Sequence, residues 1–314
     1  MLKLQKKVVI PGGAGLVGQN LVTQFVEAGF NNLVVLDKHQ HNLNILKQLH
    51  PNVIVECVDI AVPGDWENHF DNADVVVMLQ AQIGGNNLLD FEQNNVVASK
   101  NVISAMKERD ISRLIHVSSS VVESVANDWY TTTKKQQEEL ALTSGLSVVT
   151  LRPTLMFGWF DRKHLGWLSR FMKRSPVFPI PGDGRYMRQP LYAGDFCQII
   201  LSCVQSEEII GIYNISGHEK IDYVDIIESI KRVTRARSKI VHIPVTLFKF
   251  LLQLWSIWDK DPPFTSQQLT ALIAHDEFEI IDWPKIFSVT PTPLSEALDK
   301  TFNDAVYSRI VLDF

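Results

Sequence analysis

Short apolar runs alternate with amphipathic stretches through the first half of the chain. The first run, residues 6–10, ends at Pro11, and residues 19–29 follow with Leu21, Val22, Phe25 and Val26 on one helical face. A second run, 33–36, ends in Asp37, and residues 41–49 predict a helix that stops before Pro51. Residues 53–57 predict a third strand. Residues 74–79 are apolar almost without a break, the pattern of a strand buried on both faces. A small polar loop at 80–85 leads to a helix over 91–106, with Val96, Val97, Ile103 and Met106 apolar. A fifth strand at 113–119, a helix at 129–142 and a sixth strand at 147–151 complete the series. Such alternation predicts an α/β, doubly wound parallel sheet, with ligands beyond the carboxyl ends of its strands.

The pattern changes after Arg152 and Pro153. Proline and glycine punctuate residues 176–184, and the remaining strands are short, at 186–192, 212–215 and 240–243. Helices are expected at 194–204, 223–233, 245–258 and 266–275. Residues 1–152 are therefore expected to form a nucleotide-binding domain. Residues 153–314 form a smaller mixed lobe, with some segments returning to the sheet. Residues 245–255 are unusually apolar, interrupted only by Lys249 and Gln253. The expectation is a helix packed on the lobe, with contact to a membrane surface or a partner as the other reading.

Composition narrows this little. The chain has 314 residues, 46% hydrophobic and 21% charged, as in ordinary globular proteins. A net charge of −5 without a basic stripe argues against a nucleic-acid partner. Cys57, Cys197 and Cys203 are scattered and suggest neither a disulfide framework nor a zinc site. The nine histidines show no metal-ligand spacing, so no metal is expected. The apolar run near the start is too short for a signal-peptide core, and none reaches a spanning length of about 18 residues. A cytoplasmic protein is expected.

Chemistry enters at the strand ends. Gly12, Gly15 and Gly18 follow the first strand, where they permit a tight turn, backbone approach to a pyrophosphate and close helix packing. The helix N-terminus, with Leu16 and Val17 in its first turn, offers N–H groups to the phosphates. Asp37 can accept both adenosine ribose hydroxyls and would repel a 2′-phosphate, so NAD is expected over NADP. Lys38, one residue on, is expected to extend into water. Asp59, beside Ile60 past the third strand, can accept from an adenine amino group. Tyr130 and Lys134 lie four apart on one helix and share a face. An ammonium there is expected to lower the phenol's pKa, and a hydroxyl from Ser118, Ser119 or Ser120 to hold a reacting oxygen.

These motifs resemble the short-chain dehydrogenase/reductase superfamily in its extended branch, the NAD-dependent epimerase/dehydratase family. The glycine turn from Gly12 to Gly18 is similar to that branch's nucleotide turn, with Pro11 in place of the usual Thr. His116-Val117-Ser118-Ser119 resembles its catalytic strand end, Tyr130 and Lys134 its catalytic pair, and Asn94-Asn95-Val96 its supporting helix motif. Leu151-Arg152-Pro153 resembles the strand whose Pro lies by the nicotinamide, and the segment from Gly182 through Arg188 to Asp195 one that contacts a nucleotide-sugar diphosphate.

The resemblance implies a Rossmann fold and a catalytic set of Ser119, Tyr130, Lys134 and Asn95. It places the cofactor against the glycine turn, Asp37, Lys38, Asp59, Ile60, Ala81, Gln82, Val117, Tyr130, Lys134 and Pro153, and the substrate near Ser120 and Arg188. It implies hydride transfer at a hydroxyl or carbonyl carbon of a small substrate such as a nucleotide sugar, with Tyr130 as general base. It also implies homodimers formed through the helices carrying Asn95 and Tyr130. The chain departs from the pattern at Leu79-Gln80-Ala81-Gln82, at Glu123-Ser124 and at Leu155, which alters the substrate pocket and leaves the cofactor motifs intact. Residues 265–269 and 291–294 are more similar to relatives of the nucleotide-binding accessory subunit of respiratory complex I. The altered pocket residues and the apolar 245–255 face leave a rival reading, a dinucleotide-binding assembly or membrane-associated protein that keeps NAD(P) as a structural element.

Overall fold

The computed structural model describes residues 5–258, 269, 272–273 and 279–313. Seven parallel strands form the central sheet: β1 (Val8–Pro11), β2 (Leu33–Asp37), β3 (Ile54–Cys57), β4 (Val75–Met78), β5 (Arg113–Val117), β6 (Ser147–Pro153) and β11 (Gly211–Ile215). Their spatial order is β11-β6-β5-β4-β1-β2-β3. The order reverses at β1, between β4 and β2, where a doubly wound sheet leaves its ligand crevice.

Alternation along the strands feeds two cores. Val8 and Ile10 of β1 face α1 (Leu16–Glu27) and α7 (Ala193–Gln205), while Val9 joins Val76, Met78, Val102 and Met106 on the opposite side. Helices α2 (Gln40–Leu49), α3 (Leu88–Phe91), α4 (Ala98–Glu108) and α5 (Trp129–Leu142) complete the layers. The helix expected over 91–106 is divided by a π-helical segment, Glu92–Val97, which carries Asn94 and Asn95.

The second half adds paired short strands: β7 (Met156–Phe157) with β10 (Leu191–Tyr192), β8 (Val177–Pro181) with β13 (Lys239–Ile243), and β9 (Met187–Arg188) with β12 (Ile221–Asp222). The strand expected over 186–192 is therefore two, separated at Gln189 and Pro190. Proline lacks the N–H that a continuous ladder requires. Helices α6 (Leu165–Arg174), α8 (Tyr223–Thr234), α9 (Val245–Trp258), α10 (Trp283–Phe287) and α11 (Leu294–Asn303) surround these strands. A third core gathers Met172, Phe178, Ile180, Ile227, Ile230 and Leu298.

Later segments return to the first half. β11 extends the sheet beside β6, and α7 packs on α1, where Gln24 donates to the Gly194 carbonyl at 2.9 Å. Asn42 and Asp313 exchange two hydrogen bonds, at 2.7 and 3.0 Å. The helix expected over 266–275 and the likeness at 265–269 lie outside the described residues, apart from Leu269, Leu272 and Ile273.

Candidate active site

The turn after β1 has the shape that its glycines require. Gly12 has φ +76°, and a Cβ there would sit 2.3 Å from the Gln80 backbone. A Cβ on Gly18 would sit 2.2 Å from the Gly13 carbonyl oxygen, so the third glycine lets α1 press on the turn itself. Gly15, in extended conformation, precedes α1. That helix begins at Leu16 and Val17 with no side-chain cap and no acid in its first turn. Its leading N–H groups and positive dipole end are available to a pyrophosphate, so the residues present fit a dinucleotide.

Asp37 ends β2 beside this turn. Its carboxylate accepts from the Ala14 N–H and the His39 N–H, both at 3.0 Å, which fixes its direction without filling every lone pair. Asp59 accepts from the Ala61 N–H at 2.9 Å, and Ile60 is buried beside it, its carbonyl accepting from Asn101 at 3.0 Å.

Lys38 does not extend into water. Its ammonium donates to Asn94 Oδ1 at 2.8 Å, and Asn94 donates onward to Gln82 Oε1 at 2.8 Å. This chain joins the ends of β2 and β4, the two strands that flank β1. Asn95 holds the same loop from below. It accepts from the Gln82 N–H at 2.6 Å and donates to the Gln82 carbonyl and to Thr133 Oγ1 on α5, at 3.2 and 2.9 Å. Ala81, just before, is exposed.

On the other side of the crevice, Asp128 caps α5 by accepting from the Thr131 N–H at 2.9 Å. Tyr130 therefore stands in the helix's first turn, with the Ser119 hydroxyl beside its phenol; Ser119 Oγ also accepts from the Val121 N–H at 3.4 Å. Burial raises the Tyr130 pKa above its ordinary value. Ser119 opposes that shift, and the Asp128 charge adds to it. The expected lowering by Lys134 is not found, because the ammonium points elsewhere. Lys134, 1% exposed, donates to the Val117 carbonyl at 3.1 Å and to Gln137 Oε1. Burial brings its pKa down to about 7, against the pull of the Glu138 carboxylate. Beside it lies His116, fully buried on β5, which burial and the Lys134 charge hold in its neutral form.

Ser118 donates to Glu138, which pairs with Arg152; Arg152 in turn reaches Glu123 at 2.9 Å. This network braces the strand end that carries Ser119. Ser120 opens the short 3₁₀ turn that follows, and Pro153 is buried at the end of β6. Arg188 stands apart in β9, donating to the Met187 carbonyl at 2.9 Å and to that of Leu272.

Sequence reasoning missed Gln137, Glu138 and the Lys38–Asn94 bond. The first two lie three and four residues past Lys134, so helical spacing could have found them. The last joins residues 56 apart and has no local signal.

The chain is 26% identical over 261 residues to a trifunctional UDP-glucose 4,6-dehydratase/UDP-4-keto-6-deoxy-D-glucose 3,5-epimerase/UDP-4-keto-L-rhamnose-reductase of Arabidopsis thaliana. That match covers 72% of this chain but only 39% of the plant protein. In fold it is similar to a UDP-N-acetylglucosamine 4-epimerase from Methanobrevibacter ruminantium, with TM-score 0.73, 20% identity and 95% and 97% of the two chains covered. It is likewise similar to a UDP-glucuronic acid 4-epimerase from Bacillus cereus in complex with NAD, with TM-score 0.72, 19% identity and coverage of 96% and 100%. The profile of the NAD-dependent epimerase/dehydratase family matches residues 8–216, the span that holds the glycine turn, Asp37, Asn95, Ser119, Tyr130 and Lys134, and the chain belongs to that family.

Proposed function

We propose that the protein is an NAD-dependent enzyme that oxidises a hydroxyl-bearing carbon of a nucleotide sugar, the opening step of an epimerisation or dehydration. The observation that carries this reading is the placement of Ser119 beside the Tyr130 phenol, with buried Lys134 one helical turn on and the uncapped N-terminus of α1 across the crevice. Relatives named for UDP-sugar chemistry support the substrate class, and a neighbour holding NAD supports the cofactor.

Bound NAD supplies the hydride acceptor. Tyr130 takes the substrate hydroxyl proton, and Ser119 hydrogen bonds both the phenol and the reacting oxygen. Lys134, turned from Gln137 toward the crevice, stabilises the phenolate. Asn95 keeps the Gln82 loop and α5 in register. The Asp37 carboxylate selects the free ribose hydroxyls of NAD. The test is incubation of the purified protein with UDP- and dTDP-hexoses and NAD, with products resolved by chromatography and mass spectrometry. Conversion of at least one sugar is expected. A full panel recovered unchanged, from protein that binds NAD, would overturn the enzymatic reading in favour of a structural dinucleotide.

A further inference from the structure

The helix expected to pack on the lobe does so along one narrow line. Leu252 of α9 is 9% exposed, with Val245 and Phe248 half-buried beside it. Leu247, Phe250, Leu251, Leu254 and Ile257 recur at helical spacing on a different face, and that face is open: Phe250 is 54% exposed and Ile257 73%. Thr246, Lys249 and Gln253 form the polar strip between.

Charge identifies what this face meets. Residues 229–258 hold six Lys and Arg and no Asp or Glu, a net of +6 in a chain whose total is −5, which leaves −11 for the rest. The overall balance conceals this segment. Lys231, Arg232, Arg235 and Lys239, with Glu228 as the one acid among them, line an open concavity at the end of α8 and the start of β13, a local net of +3. β13 runs directly from that concavity toward α9, a strand of five residues or about 17 Å. We propose that this part of the lobe is a peripheral docking surface for an anionic lipid bilayer, with the open face of α9 in the acyl boundary and the basic concavity on the headgroups.

The other occupants fit less well. A second copy seated on a two-fold axis at α9 would bring like cations toward one another. Nucleic acid would meet the cations but leave the Leu, Phe and Ile face without an apolar partner. At 14 residues α9 is about 21 Å long, short of a bilayer core, and no helix among the described residues is long and apolar enough to cross a membrane. The helix lies on the surface.

The experiment is vesicle co-flotation of the full chain with phosphatidylcholine vesicles, with and without phosphatidylglycerol. Binding to the anionic vesicles, weakened by salt, is expected. The pair Arg232→Glu and Arg235→Glu should lower partitioning at least about tenfold, since each basic residue near an anionic surface contributes about a fivefold factor. Phe250→Glu should lower it by a similar amount while NAD binding is kept, which shows the variant is folded. Equal flotation with neutral and anionic vesicles, or binding indifferent to these substitutions, would overturn the proposal. So would loss of self-association, seen by light scattering in Phe250→Glu without any vesicle binding by the parent.

Discussion

On the β1–β2 side of the crevice the groups that would face a dinucleotide are already aimed. Asp37 is fixed by two backbone N–H groups, the glycine turn is closed on Gln80 and Gly13, and α1 presents an uncapped end. On the β5–α5 side the parts are adjacent but engaged with one another. Tyr130 lies beside Ser119 with burial favouring its neutral form, and the Lys134 ammonium is held by Val117 and Gln137. On the proposed reading the first side is a preformed cradle for the cofactor, and the second must exchange internal hydrogen bonds for ligand ones before Lys134 can act on the phenol. On our reading, activation of Tyr130 is thereby tied to occupancy of the crevice, which keeps a reactive phenolate from persisting without substrate.

The strongest way to break this comparison is Tyr130→Phe. It removes the proposed base and leaves the cradle untouched, so turnover should fall about 10²–10⁴-fold while NAD binds as before. Calorimetry and rate measurements on one preparation check both halves. A parallel loss of NAD affinity would show that the two sides are not separable.

Asp37→Ala attacks the opposite side. It removes a charged acceptor for the ribose, an effect of about 1.5–3 kcal/mol, and should weaken NAD by more than about tenfold while weakening NADP less. Titration of both cofactors decides it. An unchanged NAD-to-NADP ratio would remove Asp37 from selection.

How far this asymmetry could be read in the sequence follows from chain distance. The glycine turn, Asp37 at a strand end and Tyr130 with Lys134 are local patterns, and each stands where its spacing placed it. The direction of Lys134 was not legible, because Val117 and Gln137 compete for an ammonium that sequence spacing only brings near Tyr130. The Lys38–Asn94 bond depends on the sheet order that brings β2 and β4 to either side of β1. In α9 the failure is of another kind: the helix is apolar on two faces, so periodicity could not tell which of them meets the lobe. The break at Asn94 and Asn95, where a π turn interrupts a regular apolar pattern, likewise has no compositional mark.

Lys134 also makes the catalytic side sensitive to pH. Its pKa is about 7 in the folded chain and near 10.5 when unfolded, so the unfolded state binds more protons between those values. Stability should therefore rise as pH rises from about 7 toward 10.5, by up to about 1.4 kcal/mol per unit for one proton, and be lost again as pH falls back across that window. Urea titrations across that window, compared with Lys134→Met, isolate the contribution. A slope equal in both proteins would mean that the ammonium is not buried as described.

The smallest effect concerns the bond that links the ends of β2 and β4. Lys38 follows Asp37 and carries the one charge in this turn that could favour a 2′-phosphate, yet Asn94 Oδ1 holds its ammonium at 2.8 Å, and Asn94 is itself held by Gln82. To pair with a 2′-phosphate, Lys38 would have to give up that acceptor, and the phosphate would still face Asp37. Asn94→Ala removes the acceptor and leaves Asp37 in place. The released ammonium gains only what an exposed ion pair supplies, about 0.2–1 kcal/mol, so NADP should bind up to about fivefold tighter and NAD should be unchanged. Lys38→Met in the Asn94→Ala background should cancel the gain, because the effect runs through the lysine. Salt should diminish it for the same reason. If NADP affinity does not move in Asn94→Ala, or moves equally with and without Lys38, the bond only closes the loop and cofactor choice rests on Asp37 alone.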